Sequence, residues 1–221
     1  MDSTVQNRIP QSIYARKIKR VLDVVVTIPA LISLFPLFFL VAFLIKIEDW
    51  GPIFYWQKRL GKEGKHIDIL KFRSMTHRLS RKPGEAGELA GSHDEITKIG
   101  IWIRRLKIDE LPQLLSVIKG DLSIVGPRPC LPEQINEFDE NGYKRLLVRP
   151  GCSGLAQVYG NIHLPWKERW KYDAYYVEHL SFWLDVKILL RTVYLIVVDE
   201  KMLMTPFESF ISCNKSHVGR I

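Results

Sequence analysis

Asp109 and Glu110 stand side by side at the head of Asp109-Glu110-Leu111-Pro112-Gln113-Leu114, and the apolar spacing continues through Leu115 and Ile118 to Gly120. That spacing predicts a helix with Pro112 in its first turn, where proline is tolerated, and Gly120 closing it. Two readings of the acidic pair share this geometry. In one, Asp109 is an N-cap that accepts a backbone amide, worth about 0.5–2 kcal/mol, and Glu110 adds a favourable dipole term. In the other, the helix start gathers a carboxylate, a diphosphate and a cation, with one acid as nucleophile and its neighbour helping to position Mg²⁺. Magnesium takes one or two protein carboxylates plus substrate phosphate, so the pair suffices for a nucleotide-sugar reaction.

Cations that suit such chemistry follow. Gly126-Pro127-Arg128-Pro129 restricts the backbone on both sides of Arg128, which lowers the entropy lost when its guanidinium meets an oxyanion. Lys71 and Arg73 flank Phe72 in an extended stretch and so share one side, as a phosphate holder or as a solvated edge. Ile96, Ile99, Trp102, Ile103 and Leu106 recur at helical spacing after a cap at Ser92 or Asp94, with Lys98, Arg104, Arg105 and Lys107 mostly opposite. Gln157, in the turn-rich Gly154-Leu155-Ala156-Gln157, is a candidate contact for a base or sugar, whereas Cys152 reads as packing.

The elements that must position these groups belong to a chain of 221 residues, 47% apolar, which suits one core. Its charge of +8 favours anionic partners: acidic lipid, phosphorylated small molecules or nucleic acid. No nucleic-acid recognition motif accompanies the charge, and nucleic acid is not an expected partner. Three dispersed cysteines are too few for a disulfide framework, which points to a reduced, cytosol-facing domain.

Val24 to Ile45 carries no charge and is long enough to cross the hydrocarbon layer. Basic residues flank both ends: Arg16, Lys17, Lys19 and Arg20 before, and Lys46, Lys58, Arg59, Lys62 and Lys65 after. Charge bias therefore sends neither end across. A segment broken at Pro36, with Ser33 back-bonding near the break, would return on the side it entered; a kinked spanning helix is the competing reading. Beyond it, residues 53–56 and 67–70 read as strands, and Ser80 to His93 as a mobile loop or lid. Trp166, Trp170, Tyr172, Tyr175, Tyr176 and Trp183, interleaved with cations, fit interfacial helices or a core. The division is a tail over 1–15, a membrane helix-break-helix over 16–47, a catalytic core over 48–199, and a C-terminal tail over 200–221 without pattern.

Taken in order, Lys19-Arg20 with Asp23, Pro36, Lys71 to Met75, Asp109 to Leu114, Gly126 to Pro129, Pro150-Gly151 and Gly154 to Gln157 make the chain resemble the bacterial sugar transferases, monotopic polyprenyl-phosphate phosphoglycosyl transferases. Two positions depart from the family's habit: Phe35 precedes Pro36 where Ser is frequent, and Lys107-Ile108 replaces a Ser-Leu-like pair. The resemblance implies a small α/β monotopic enzyme with a re-entrant membrane helix, interfacial amphipathic helices and a compact core, without the extra domains of larger relatives. It implies transfer of a sugar 1-phosphate from a UDP-sugar to polyprenyl (undecaprenyl) phosphate with release of UMP, opening assembly of a bacterial glycan. Asp109 is then the nucleophile, Glu110 and Asp109 the Mg²⁺ site, and Lys71, Arg73, Arg104 and Arg128 the phosphate-binding cations. The implied location is the cytoplasmic face of the bacterial inner membrane, in contact with its lipid, with a homodimer and downstream glycosyltransferases as further expected partners. The alternative is a non-catalytic membrane scaffold that recruits glycan-pathway partners.

Overall fold

The computed structural model describes residues 13–76, 96–197 and 204–218. The loop expected over Ser80 to His93, most of the N-terminal tail, and the caps expected at Ser92 or Asp94 lie outside them. A π-helical turn, Tyr14–Ile18, leads into α1, Lys19–Glu48. The break expected at Pro36 is absent, because α1 continues as helix through both Pro29 and Pro36. Each proline removes one amide donor, yet the neighbouring bonds carry the helix on, so any bend is distributed and not concentrated in a non-helical residue.

Both ends of α1 are fastened to the same polar and apolar body, and its middle is bare. Near the start, Lys19 Nζ meets Asp185 at 2.6 Å, Arg20 donates to the carbonyls of Val117 and Ile118, and buried Asp23 accepts from Ser123 Oγ at 2.8 Å and Ile124 N at 3.1 Å. At the end, Glu48 accepts from Lys98 N at 2.6 Å and Ile99 N at 2.9 Å, while Val41 and Ile45 pack with Phe72 and Ile103. Between these anchors Ile32, Phe35 and Phe39 are about 70% exposed, and Ser33 and Pro36 are exposed with them. The basic residues Lys19 and Arg20 are thus structural fasteners as well as flanking charge.

The expected strands form a hairpin, β1 (Phe54–Leu60) antiparallel to β2 (His66–Phe72), with Tyr55 opposite Lys71. The amphipathic helix follows as α2, Lys98–Arg105, capped by Thr97, whose Oγ1 accepts from Gly100 N at 2.8 Å. A Cβ on Gly100 would sit 2.1 Å from the Ser74 carbonyl oxygen, so glycine is what lets α2 close on the end of β2. Ile103 turns inward, whereas Trp102, expected on the same apolar face, is 62% exposed.

The helix expected from Asp109 is two pieces: a 3₁₀ turn, Ile108–Gln113, then α3, Leu114–Lys119, stopped by Gly120 at φ 100°. Next come β3 (Ser123–Val125), α4 (Glu140–Lys144) and β4 (Gly151–Ser153), with β3 and β4 parallel. A Cβ on Gly151 would lie 2.1 Å from Gly126 N, so the β3–β4 crossing depends on bare backbone. The chain continues through α5 (Leu155–Val158), α6 (Trp166–Glu178), α7 (Phe182–Val197) and α8 (Phe207–Val218). Together these elements form a mixed α/β fold with one long apolar helix.

The aromatic C-terminal region does both things left open by its sequence. Tyr172 and Tyr176 are buried in the main core and Trp170 is buried edge-on against Phe138, while Trp183 is 71% exposed on α7. Tyr176 donates to Asp185, the same carboxylate that Lys19 meets, so this core is tied directly to the start of α1. The patternless tail holds an element after all: α8 packs Phe210 into the main core, and Thr205 N donates to Tyr159 O at 3.0 Å just before it.

Candidate active site

Lys107 adopts left-handed geometry at φ 57° and swings the chain into the 3₁₀ turn that carries the acidic pair. This replaces the N-cap reading of Asp109. The cap position belongs to Lys107, no side chain caps the turn, and Asp109 Oδ1 is buried without a hydrogen-bond partner. Such an oxygen is costly to keep unless it serves a reactant or ligand.

Glu110 is held instead. Lys71 Nζ lies 2.8 Å from Oε1, and the Arg128 fork reaches the same oxygen at 2.8 Å and Oε2 at 3.4 Å. Burial alone would raise the Glu110 pKa, but Arg128 and Lys71 outweigh it and hold the carboxyl far below the usual range. Asp109 goes the other way. Burial and then the Glu110 charge push it up to about 6, although Lys71, Arg104 and Lys107 pull in the opposite sense. Two adjacent carboxyls are thereby separated into a permanently ionised one and one poised near neutrality.

The turn that presents Arg128 is locked by more than its prolines. Four successive carbonyls are engaged: Pro127 by Gly151 N at 2.9 Å, Arg128 by Arg145, Pro129 by Arg59 at 3.3 Å, and Cys130 by Leu60 N at 2.9 Å. Arg59 and Arg145 are both buried, the first also bonded to Gln57 at 2.8 Å and the second paired with Asp173 at 3.1 Å. Sequence reading counted Arg59 only as charge flanking the apolar segment and missed Arg145. Neither sits in a motif or a periodic pattern, and only the tertiary fold brings them to the turn.

The remaining expected residues divide. Arg104 donates from Nε to Ser74 Oγ at 2.7 Å, and its charge acts on Asp109. Arg73 is buried at the end of α1, bound to the Asp49 carbonyl and 3.6 Å from the Asp49 carboxylate. Lys71 and Arg73 therefore do not act as a pair: β2 ends at Phe72, and Lys71 meets Glu110 while Arg73 meets Asp49. Gln157 donates to Cys152 O at 3.2 Å and faces a pocket beside Arg128, not Asp109 itself.

The sequence pattern described as Bacterial sugar transferase matches residues 14–199. The chain belongs to that family. It is 41% identical over 161 residues to the uncharacterized sugar transferase EpsL of Bacillus subtilis, covering 73% of this chain and 78% of that one. A UDP-N-acetylgalactosamine-undecaprenyl-phosphate N-acetylgalactosaminephosphotransferase of Aeromonas hydrophila is 38% identical, over 84% of this chain and 44% of its own. An undecaprenyl-phosphate glucose phosphotransferase of Komagataeibacter xylinus is 37% identical, over 86% of this chain and 38% of its own. This family member spans most of EpsL and about two-fifths of the two larger relatives, and it is an enzyme, a sugar transferase.

Proposed function

We propose that the protein is a phosphoglycosyl transferase that moves a sugar 1-phosphate from a UDP-sugar to polyprenyl (undecaprenyl) phosphate and releases UMP. The observation that carries this reading is Asp109 Oδ1, buried and unbonded beside a neighbour already neutralised by two cations. In the first step an Asp109 carboxylate oxygen attacks the sugar-linked phosphorus, and the bond to UMP breaks. In the second, a phosphate oxygen of the lipid attacks the same phosphorus and Asp109 leaves as carboxylate. Lys71, Arg104 and Arg128 offset the charge that the diphosphate brings.

The residues present fit Mg²⁺. Asp109 offers an unbonded oxygen, and Glu110 can join once Lys71 or Arg128 turns toward substrate phosphate. When bound, the cation would offset diphosphate charge and favour UMP departure. Burial already makes Asp109 a stronger nucleophile near neutrality than an exposed aspartate, because its proton affinity is higher.

Two predictions follow from the site. The acid limb of kcat/KM lies close to 6, where Asp109 loses its proton, and Lys71→Met moves that limb to higher pH because it removes a cation that favours the ionised form. Rate profiles between pH 5 and 8 on both proteins check this; a limb that stays put in Lys71→Met contradicts it. Across a panel of UDP-N-acetylamino sugars, UDP-glucose and UDP-galactose, at least one donor releases UMP continuously with polyprenyl phosphate and Mg²⁺. Silence from the whole panel, with a pathway still complemented by Asp109→Asn, would favour the scaffold.

Membrane attachment by a re-entrant α1 completes the reading. It is supported by fasteners at both ends of the helix on one body, by the bare apolar middle, and by two prolines where a bend is needed. The core then sits at the cytoplasmic face of the inner membrane. Reporters fused at Ser3 and beyond Glu200 should both be cytoplasmic; reporters on opposite sides would leave α1 as a spanning helix.

A further inference from the structure

Two side chains at the start of α1 reach the backbone on either side of the Arg128–Glu110 pair. Arg20 donates to the carbonyls of Val117 and, at 2.7 Å, Ile118, in the last turn of α3, the helix that begins directly after the 3₁₀ turn bearing Glu110. A guanidinium there satisfies carbonyls that the helix end leaves open. Three residues on, and so on the same face about 4.5 Å along the axis, Asp23 accepts from Ser123 Oγ at 2.8 Å and from Ile124 N at 3.1 Å. Asp23 and Ser123 are both buried.

Ser123 and Ile124 belong to β3, which runs straight into Gly126-Pro127-Arg128. On its β4 side, Ser123 N and Gly126 N donate to Pro150 O and Ser153 O, each at 2.8 Å. The Ile124 amide points the other way, to the edge where a further strand would sit. Asp23 occupies that edge, and the Tyr176 hydroxyl adds a bond to Val125 O at 3.1 Å. The four carbonyl bonds to residues 127–130 come from further along the chain, so they fix the shape of the turn, whereas β3 decides where the turn is delivered.

We infer that Asp23 is a positioning residue for Arg128: through β3 it sets where the guanidinium stands relative to Glu110, while Arg20 on the same helical face holds the segment that carries Glu110. Its effect on rate rests on the phosphosugar-transfer reading above; its effect on the Arg128–Glu110 contact does not. That contact, at 2.8 Å, is lost after a displacement of roughly 1 Å, so small movements of β3 matter. The apolar helix is therefore also the gauge against which the acidic turn and the arginine turn are aligned.

A double-variant cycle on the full chain in lipid nanodiscs tests this, with polyprenyl phosphate and the UDP-sugar that releases UMP. Asp23→Leu should lower kcat about 30-fold and leave the KM for polyprenyl phosphate within about twofold, a loss of the size expected when a catalytic group is misplaced by roughly 1 Å. In an Arg128→Met background the same substitution should cost less than about threefold more, because the group it positions is already gone. Asp23→Asn keeps an acceptor for Ile124 N and should stay within about threefold of wild type. Equal fold-losses in both backgrounds overturn the inference, and so does a wild-type kcat in Asp23→Leu. Should Asp23→Leu not fold, Ser123→Ala removes one bond alone and should cost about fivefold, again only where Arg128 is present. Melting curves read the contact without turnover: Arg128→Met should lower Tm less in Ser123→Ala than in the wild-type protein. Equal Tm losses overturn the inference whatever the reaction. Unequal losses in a protein inert toward every UDP-sugar would instead overturn the reaction and leave the positioning role standing.

Discussion

Asp109→Asn should reduce turnover by at least about 10³-fold while making the folded protein more stable, a combination that misfolding cannot imitate. The activity loss follows from removing the only oxygen nucleophile in the account. The stability gain follows from linkage. The Asp109 pKa is raised from 3.8 to about 6, so its contribution is complete below the unfolded value and is lost as pH rises through 6. At pH 8 the ionised carboxylate opposes folding by on the order of 2–3 kcal/mol, which the neutral amide does not. Melting curves at about pH 3.5 and at pH 8 check the sign: wild type and variant should converge below the unfolded value of 3.8 and be furthest apart at pH 8. An inactive variant that melts lower at pH 8 would mean that Asp109 is structural.

Arg128→Met should cost about 10²–10³-fold in kcat/KM, because one guanidinium neutralises Glu110 and, in the proposed reaction, also meets the donor phosphates. Lys71 still holds Glu110, and the two side chains of the Arg128–Glu110 pair are 26% and 18% exposed, so the stability loss should be only about 1–2 kcal/mol, below that for breaking a fully buried pair. The turn itself should survive, since its four carbonyl bonds come from Gly151, Arg145, Arg59 and Leu60 and not from the Arg128 side chain. Arg128→Lys restores charge without the fork and should recover about a tenth of the lost activity at most. Steady-state kinetics with saturating Mg²⁺ check both variants; full activity in Arg128→Met would remove the clamp from the mechanism.

Much of this site is written locally, which is why it can be read before the chain folds. Adjacent acids ahead of Pro112, the Gly126–Pro129 turn, the β1–β2 hairpin and the Gly120 stop each depend on residues within a few positions. What escaped depends on distance. Arg59 and Arg145 reach the Arg128 turn from 70 and 17 residues away, and buried arginines leave no periodic trace. Asp109 has the composition of an N-cap, but a left-handed Lys107 takes the cap position two residues earlier, and no propensity announces that residue's geometry. Arg73 shares a motif with Lys71 yet binds Asp49 at the end of α1, because the strand stops between them. The helix over Phe207–Val218 has weak periodicity and owes its place to Phe210 entering a core built elsewhere.

The separation of the two carboxyls explains why neighbours of the same charge can share a site. Glu110 is fixed as an anion by Lys71 and Arg128, and its field, added to burial, keeps the Asp109 proton affinity high enough for attack on phosphorus. In the proposed reaction the same cations would become phosphate partners when the donor arrives, so the resting site would already be arranged for an incoming negative charge.

The most direct measurement is intact and peptide mass spectrometry of the enzyme quenched in acid after mixing with its UDP-sugar and Mg²⁺, with polyprenyl phosphate withheld. The account predicts one added sugar phosphate per chain, located on Asp109 and discharged when the lipid phosphate is supplied. An unmodified chain under conditions that support full turnover would contradict it and require direct transfer between the two substrates.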